Sequence, residues 1–134
     1  MSVRNVPGHR ITLRDKRILV AEDEAIVAML IEDELVDAGA QVVGPATSVE
    51  EALRLIEGPA LAGGLSAAVL DLDLEGELVL PVADRLTALG VPFLFATGCG
   101  EGCDMGRHTA PVLHKPFDAQ DLVMAIEALA AVGR

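Results

Sequence analysis

Ala67-Ala68-Val69-Leu70-Asp71-Leu72-Asp73-Leu74-Glu75-Gly76-Glu77 (AAVLDLDLEGE, residues 67–77) is the stretch that decides the fold. Four apolar residues run without a polar interruption and stop at Asp71, with a second acid at Asp73 and a glycine at Gly76. An apolar run of this length between turn signals reads as a strand buried on both faces, as in a parallel sheet covered by helices. Asp71 then stands at the carboxyl end of a central strand, where ligands and chemistry collect in open α/β sheets.

Toward the N-terminus, Arg17 to Ala21 (RILVA) reads as the first strand and runs into Glu22, Asp23 and Glu24. Ala25 to Ala38 places Ile26, Val27, Leu30, Ile31 and Leu35 at helical spacing, with Gly39 as the stop. Gln41 to Ala46 is a second short strand, and Ser48-Val49-Glu50-Glu51 is a capping box that starts a helix from about Val49 to Glu57. Toward the C-terminus a loop follows Asp71, and Pro81 suits the first position of a helix that Gly90 closes. Val91 to Ala96 is the next strand, ending in Thr97 and Gly98. Gly98, Gly100, Gly102 and Gly106 then allow at most a short, labile helix, since each glycine inside a helix costs about 1 kcal/mol relative to alanine. Pro111 to His114 is the last strand, followed by Lys115-Pro116-Phe117. Asp118 with Asp121 caps a final helix to about Val132.

The order is β-α five times over, and right-handed crossovers of this kind give an α/β fold: a five-stranded parallel sheet with helices on both faces. Residues 1–16 show no sustained period and read as a flexible basic tail, and 17–134 as one domain. Residues 1–17 carry five basic side chains against one acid, and the rest of the chain carries five against 20, for a net charge of −11. That acidic excess repels phosphate backbones and anionic lipid, so no nucleic-acid or membrane partner is expected. Trp and Tyr are absent, which removes the usual platforms for stacked bases. No apolar run approaches the 18 or so residues of a membrane span, the first 16 residues lack the apolar stretch of a signal peptide, and the expected location is the cytoplasm. Cys99, Cys103, His108 and His114 have a spacing that fits no standard zinc finger.

At the strand ends the chemistry converges. The first strand delivers Glu22 and Asp23, the third Asp71, the fourth Thr97 and the fifth Lys115, all on one rim. Two carboxylates at 4 Å repel by about 4 kcal/mol at an effective dielectric near 20, so three share a rim as anions only with a cation. A hard, oxygen-only ligand set suits Mg²⁺, which takes one or two carboxylates plus a phosphoryl oxygen. Asp71 is left as the nucleophile that forms an aspartyl-phosphate, with Lys115 and Thr97 contacting the transferred group's oxygens. Glu24, Glu75 and Glu77 read as solvated loop charges.

Through LVAEDE, VLDLDL, FATG and HKPF in order, residues 17 to 132 resemble the receiver domains of two-component response regulators. The resemblance implies the receiver-like strand order 2-1-3-4-5, an acidic pair at Glu22 and Asp23, and phosphorylation of Asp71 by a phosphohistidine of a sensor histidine kinase. It also implies that the backbone carbonyl of Asp73 is a metal ligand and that the Lys115-Pro116 bond is cis. GELVLPVADRL and GVPFLFATG are similar to a narrower group, the FAT GUY receivers of alphaproteobacteria, which implies a stand-alone partner of an HWE-type kinase. The chain departs from ordinary receivers in carrying Val112 where an aromatic switch residue is usual, and Cys99 directly after FATG.

The expectation is thus a Mg²⁺-dependent phosphoacceptor, not a turnover enzyme. It acts through a downstream protein partner or phosphotransferase or drains phosphate from a relay, and the alanine-rich outer side of the last helix offers a homodimer face. Two alternatives remain open. One is a haloacid-dehalogenase-like phosphatase using Asp71 and Asp73, and the other is a receiver-like binding module that is never phosphorylated.

Overall fold

The computed structural model describes residues 12–58, 64–98, 105, 106 and 108–133. Five parallel strands form the central sheet: β1 (Arg17–Ala21), β2 (Gln41–Ala46), β3 (Ala67–Leu70), β6 (Phe93–Thr97) and β7 (Val112–His114), in the order β2-β1-β3-β6-β7. Counting parallel strands alone, this is the expected order 2-1-3-4-5. Between β3 and the next helix lies a small antiparallel hairpin, β4 (Asp73–Leu74) with β5 (Glu77–Leu78). The helices are α1 (Ala25–Asp37), α2 (Val49–Glu57), α3 (Leu80–Ala88) and α4 (Ala119–Gly133).

Every residue of β3 and β6 is buried, because helices cover both faces of the sheet. Alternation along each strand sorts the core into two layers. Ile18, Val20, Ala67, Val69, Leu94 and Ala96 face one way, where Ile31 and Leu35 of α1 and Leu122 and Ile126 of α4 close over them. Leu19, Ala21, Ala68, Leu70, Phe93 and Phe95 face the other way, against Ala52 and Ile56 of α2 and Val82 and Leu86 of α3.

Local chemistry explains the ends. Ser48 Oγ accepts the Glu51 N–H at 3.1 Å, one half of the expected capping box. The Glu51 carboxylate completes it one residue early, accepting from the Thr47 N–H at 2.9 Å. Asp118 caps α4 by accepting from the Gln120 N–H at 2.8 Å. At Gly44, φ is +104° and a Cβ would lie 2.8 Å from the Val20 carbonyl oxygen, so only glycine fits where the β1–β2 register shifts.

The structure departs from the sequence reading in two places. The loop expected after Asp71 is the hairpin, whose turn residues Glu75 and Gly76 both have positive φ, the geometry that gives a two-residue turn the twist of its strands. The short, labile helix allowed between Gly98 and Pro111 falls largely on 99–104 and 107, which lie outside the described residues, and 105, 106 and 108–111 are not helical. Thr12 to Lys16, read as the end of a tail, pack on the body. Leu13 is 1% exposed in the α1–α4 layer, its N–H donates to the Ala38 carbonyl at 2.8 Å, and Thr12 Oγ1 donates to Glu127 of α4. An isolated leucine carries no periodicity, so its burial left no mark in the sequence pattern.

Candidate functional site

Ladder hydrogen bonds continue past the strand ends and fix the main chain of the residues that follow. The Glu22 N–H donates to the Ala46 carbonyl, the Asp71 N–H to the Ala21 carbonyl and the Lys115 N–H to the Thr97 carbonyl, each at 2.8 Å. Two carboxylates and one ammonium are thereby aimed at one point on the rim.

Lys115 Nζ lies 2.8 Å from Glu22 Oε1, 3.0 Å from Asp71 Oδ2 and 3.1 Å from Glu24 Oε1. Glu22, Asp23 and Asp71 each offer a carboxylate oxygen, and these oxygens lie within 4.8 Å of one another. Glu22 and Asp71 are buried, and Asp23 is half-buried. Asp23 Oδ2 accepts from the Glu75 N–H at 2.8 Å, tying the hairpin to the acidic pair. Asp71 Oδ1 accepts from the Asp73 N–H at 3.3 Å. The Asp73 carboxylate accepts from the Gly76 N–H at 2.8 Å within the hairpin turn. Thr97 ends β6 with its side chain buried. The Lys115-Pro116 bond is cis, as the resemblance implies.

The balance of charge at this point is uneven. Burial pushes the Glu22 carboxyl up to about 7, a rise to which the charge of Asp71 adds and which Lys115 and the Glu24 N–H oppose. For Lys115, burial disfavours the ammonium, yet Glu22, Asp71 and Glu24 together outweigh it and raise the group above its ordinary value. Glu22 Oε1 is shut off from solvent and, although close to the ammonium, has no aligned hydrogen-bond donor. A buried oxygen with an unfilled lone pair, beside two further carboxylates, is a donor set that fits a hard divalent cation.

Every site residue expected from sequence thus lies at the carboxyl end of the sheet, and Lys115 joins Glu22 to Asp71 directly. Glu24, expected to be a solvated charge, is the third carboxylate on Lys115. Its nearness to Glu22 and Asp23 was legible, but which way an exposed side chain turns at a helix start was not. Val112, in the position where an aromatic switch is usual, packs against the layer that holds Phe93 and Phe95. The His108 ring stands edge-to-face with Phe93 and Phe95, with centroids 5.3 and 6.4 Å apart, and its Nε2 is 2.8 Å from Asp84 Oδ1 on α3. Cys99 and Cys103 lie outside the described residues.

No protein-family model matches the chain, and no curated protein matches it significantly. Solved structures do. SdrG from Sphingomonas melonis Fr1 is 39% identical, with a TM-score of 0.72, over 86% of this chain and 96% of that one. The response regulator PhyR from Brucella abortus is 29% identical with a TM-score of 0.71, over 90% of this chain, which spans about half of PhyR (49%). A response regulator receiver protein from Sinorhizobium medicae WSM419, 24% identical over 91% of this chain and 99% of that one, shares the fold with a TM-score of 0.73. With the sheet order, the acidic rim and the lysine at its fifth strand end all in place, the chain belongs to the receiver domains of response regulators.

Proposed function

We propose that this protein is a phosphoacceptor that takes a phosphoryl group on Asp71, using Mg²⁺, from a sensor histidine kinase, and signals through contacts with another protein. The observation that carries the reading is the Lys115 ammonium, 3.0 Å from Asp71 Oδ2 and flanked by the Glu22, Asp23 and Asp71 cluster. Glu22, Asp23, Asp71 and the Asp73 carbonyl would hold the cation, which when bound neutralises charge on the phosphoryl oxygens.

The rest falls to the chain. With a small-molecule donor such as acetyl phosphate, an Asp71 oxygen attacks phosphorus and forms the new P–O bond. The bond from phosphorus to the acetyl oxygen breaks, and acetate leaves with the electron pair, so no proton is needed. Lys115 donates to a phosphoryl oxygen and offsets its charge, and the Thr97 hydroxyl donates to another. The motifs GELVLPVADRL and GVPFLFATG support the FAT GUY group and hence an HWE-type kinase as donor. Against a haloacid-dehalogenase-like phosphatase, the Asp118 carboxylate that would have to assist at the site is engaged in capping α4. Among the described residues no helix is long and apolar enough to cross a membrane.

The test is incubation with Mg²⁺ and acetyl phosphate followed by intact mass. A single phosphoryl adduct in the wild type that is absent from Asp71→Ala supports the proposal. Turnover of added phosphomonoesters supports a phosphatase, and no adduct at all supports an unphosphorylated binding module.

A further inference from the structure

Three carboxylates crowd Lys115 before any phosphoryl group arrives. An ammonium has three N–H donors. Two are directed at Asp71 Oδ2 and Glu24 Oε1, and Glu22 Oε1 stands against the same nitrogen at 2.8 Å. Two N–H groups are taken and the third side of the ammonium is walled in by Glu22, so a phosphoryl oxygen reaches Lys115 by displacing one carboxylate. The three are not equally displaceable. The side chains of Glu22 and Asp71 are 1% and 10% exposed and cannot leave without stranding a buried charge, whereas that of Glu24 is 64% exposed.

The main chain of Glu24 is fixed by two hydrogen bonds, while among the described residues its exposed side chain is held by Lys115 alone. Its N–H donates to Glu22 Oε2 at 3.0 Å, and its carbonyl accepts from the Ala28 N–H at 2.9 Å as the first turn of α1. Glu24 occupies the N-cap of α1, yet its side chain makes no capping hydrogen bond there. Serine, threonine, aspartate and asparagine are the usual residues at such a position because they reach the free N–H groups of the first turn. Here a longer carboxylate reaches across to Lys115 instead.

We propose that Glu24 is a gate on phosphoryl acceptance: its carboxylate occupies the Lys115 N–H that an incoming phosphoryl oxygen must take, and slows the reaction until it swings into solvent. This rests on the reading of Asp71 as the phosphoacceptor. A second effect runs in the same direction, since a carboxylate at the mouth of the site repels a dianionic donor. Glu24 is thus a positioning residue, acting on the reaction through Lys115.

The test compares the rate of phosphoryl uptake from acetyl phosphate, with saturating Mg²⁺, in the wild type, Glu24→Gln and Glu24→Ala. The expected result is a rise in initial rate of about two- to fivefold in both variants at low salt, the worth of one exposed ion pair. The advantage should narrow as ionic strength rises, since the ion pair and the repulsion are both screened. A merely structural role would lower the urea midpoints of the variants without raising their rates. Equal rates, or slower uptake by both variants, would overturn the gate while leaving Asp71 as acceptor. No uptake by the wild type itself would remove both proposals together.

Discussion

Replacing Glu22 by glutamine removes one charge at almost constant volume, and the structure fixes the sign of the effect. Glu22 is 1% exposed and lies within reach of one cation, Lys115, and of the carboxylates of Asp23 and Asp71. Two carboxylates at the cluster's 4.8 Å limit repel by about 3.5 kcal/mol at an effective dielectric near 20. The Glu22 carboxyl, raised from 4.5 to about 7, leads to a similar figure, about 3 kcal/mol of cost to the charged form. A carboxyl whose folded pKa is raised contributes stability that is fully present below the unfolded value and is lost as pH rises through the folded one. Metal-free wild type should therefore weaken between about pH 4.5 and pH 7 from this group, and Glu22→Gln should lack that slope. In EDTA near pH 8 the variant is expected to be more stable than wild type by about 1–3 kcal/mol, because part of the gain is offset by the lost partner of Lys115. Near pH 4.5 the advantage should vanish. Excess Mg²⁺ should stabilise the wild type and move the variant little. Urea unfolding at the two pH values, with and without Mg²⁺, reads all of these. A variant less stable than wild type near pH 8 in EDTA would refute the reasoning, since pairing with Lys115 would then outweigh burial and repulsion.

Two further substitutions test the framework that presents the site. Leu13→Ala empties a buried position under α1 and α4 and should cost about 2–5 kcal/mol in urea unfolding, whereas a residue on a detached tail would cost nothing measurable. Gly44→Ala puts a Cβ against the Val20 carbonyl at a positive φ and should cost about 2 kcal/mol or more, and thermal melting with no loss would show that β2 can shift to make room.

How much of this was readable from the chain follows from which interactions are periodic. The runs at Arg17, Ala67 and Val91 carry their own signal, because a strand covered on both faces must be apolar throughout, and their ends alone placed Glu22, Asp71 and Thr97 on one rim. Lys115 was legible only by its place after the fifth run. Interactions made by single residues left no pattern. Leu13 is one leucine among polar neighbours, the Glu75-Gly76 turn depends on two backbone angles, and the direction of the Glu24 side chain depends on where Lys115 arrives from the far end of the chain. Before β7 the glycines weaken a helix without specifying what replaces it, and among the described residues 105, 106 and 108–111 are not helical.

The most direct test of the central claim asks which atom receives phosphorus. Wild-type protein treated with acetyl phosphate and Mg²⁺, then reduced with borohydride, converts an acyl phosphate to the corresponding alcohol, and peptide mapping locates it. The reduced residue should be Asp71, Asp71→Asn should abolish the product and EDTA should suppress it. Modification at Asp23, Asp73 or His108, or a yield unaffected by EDTA, would contradict it.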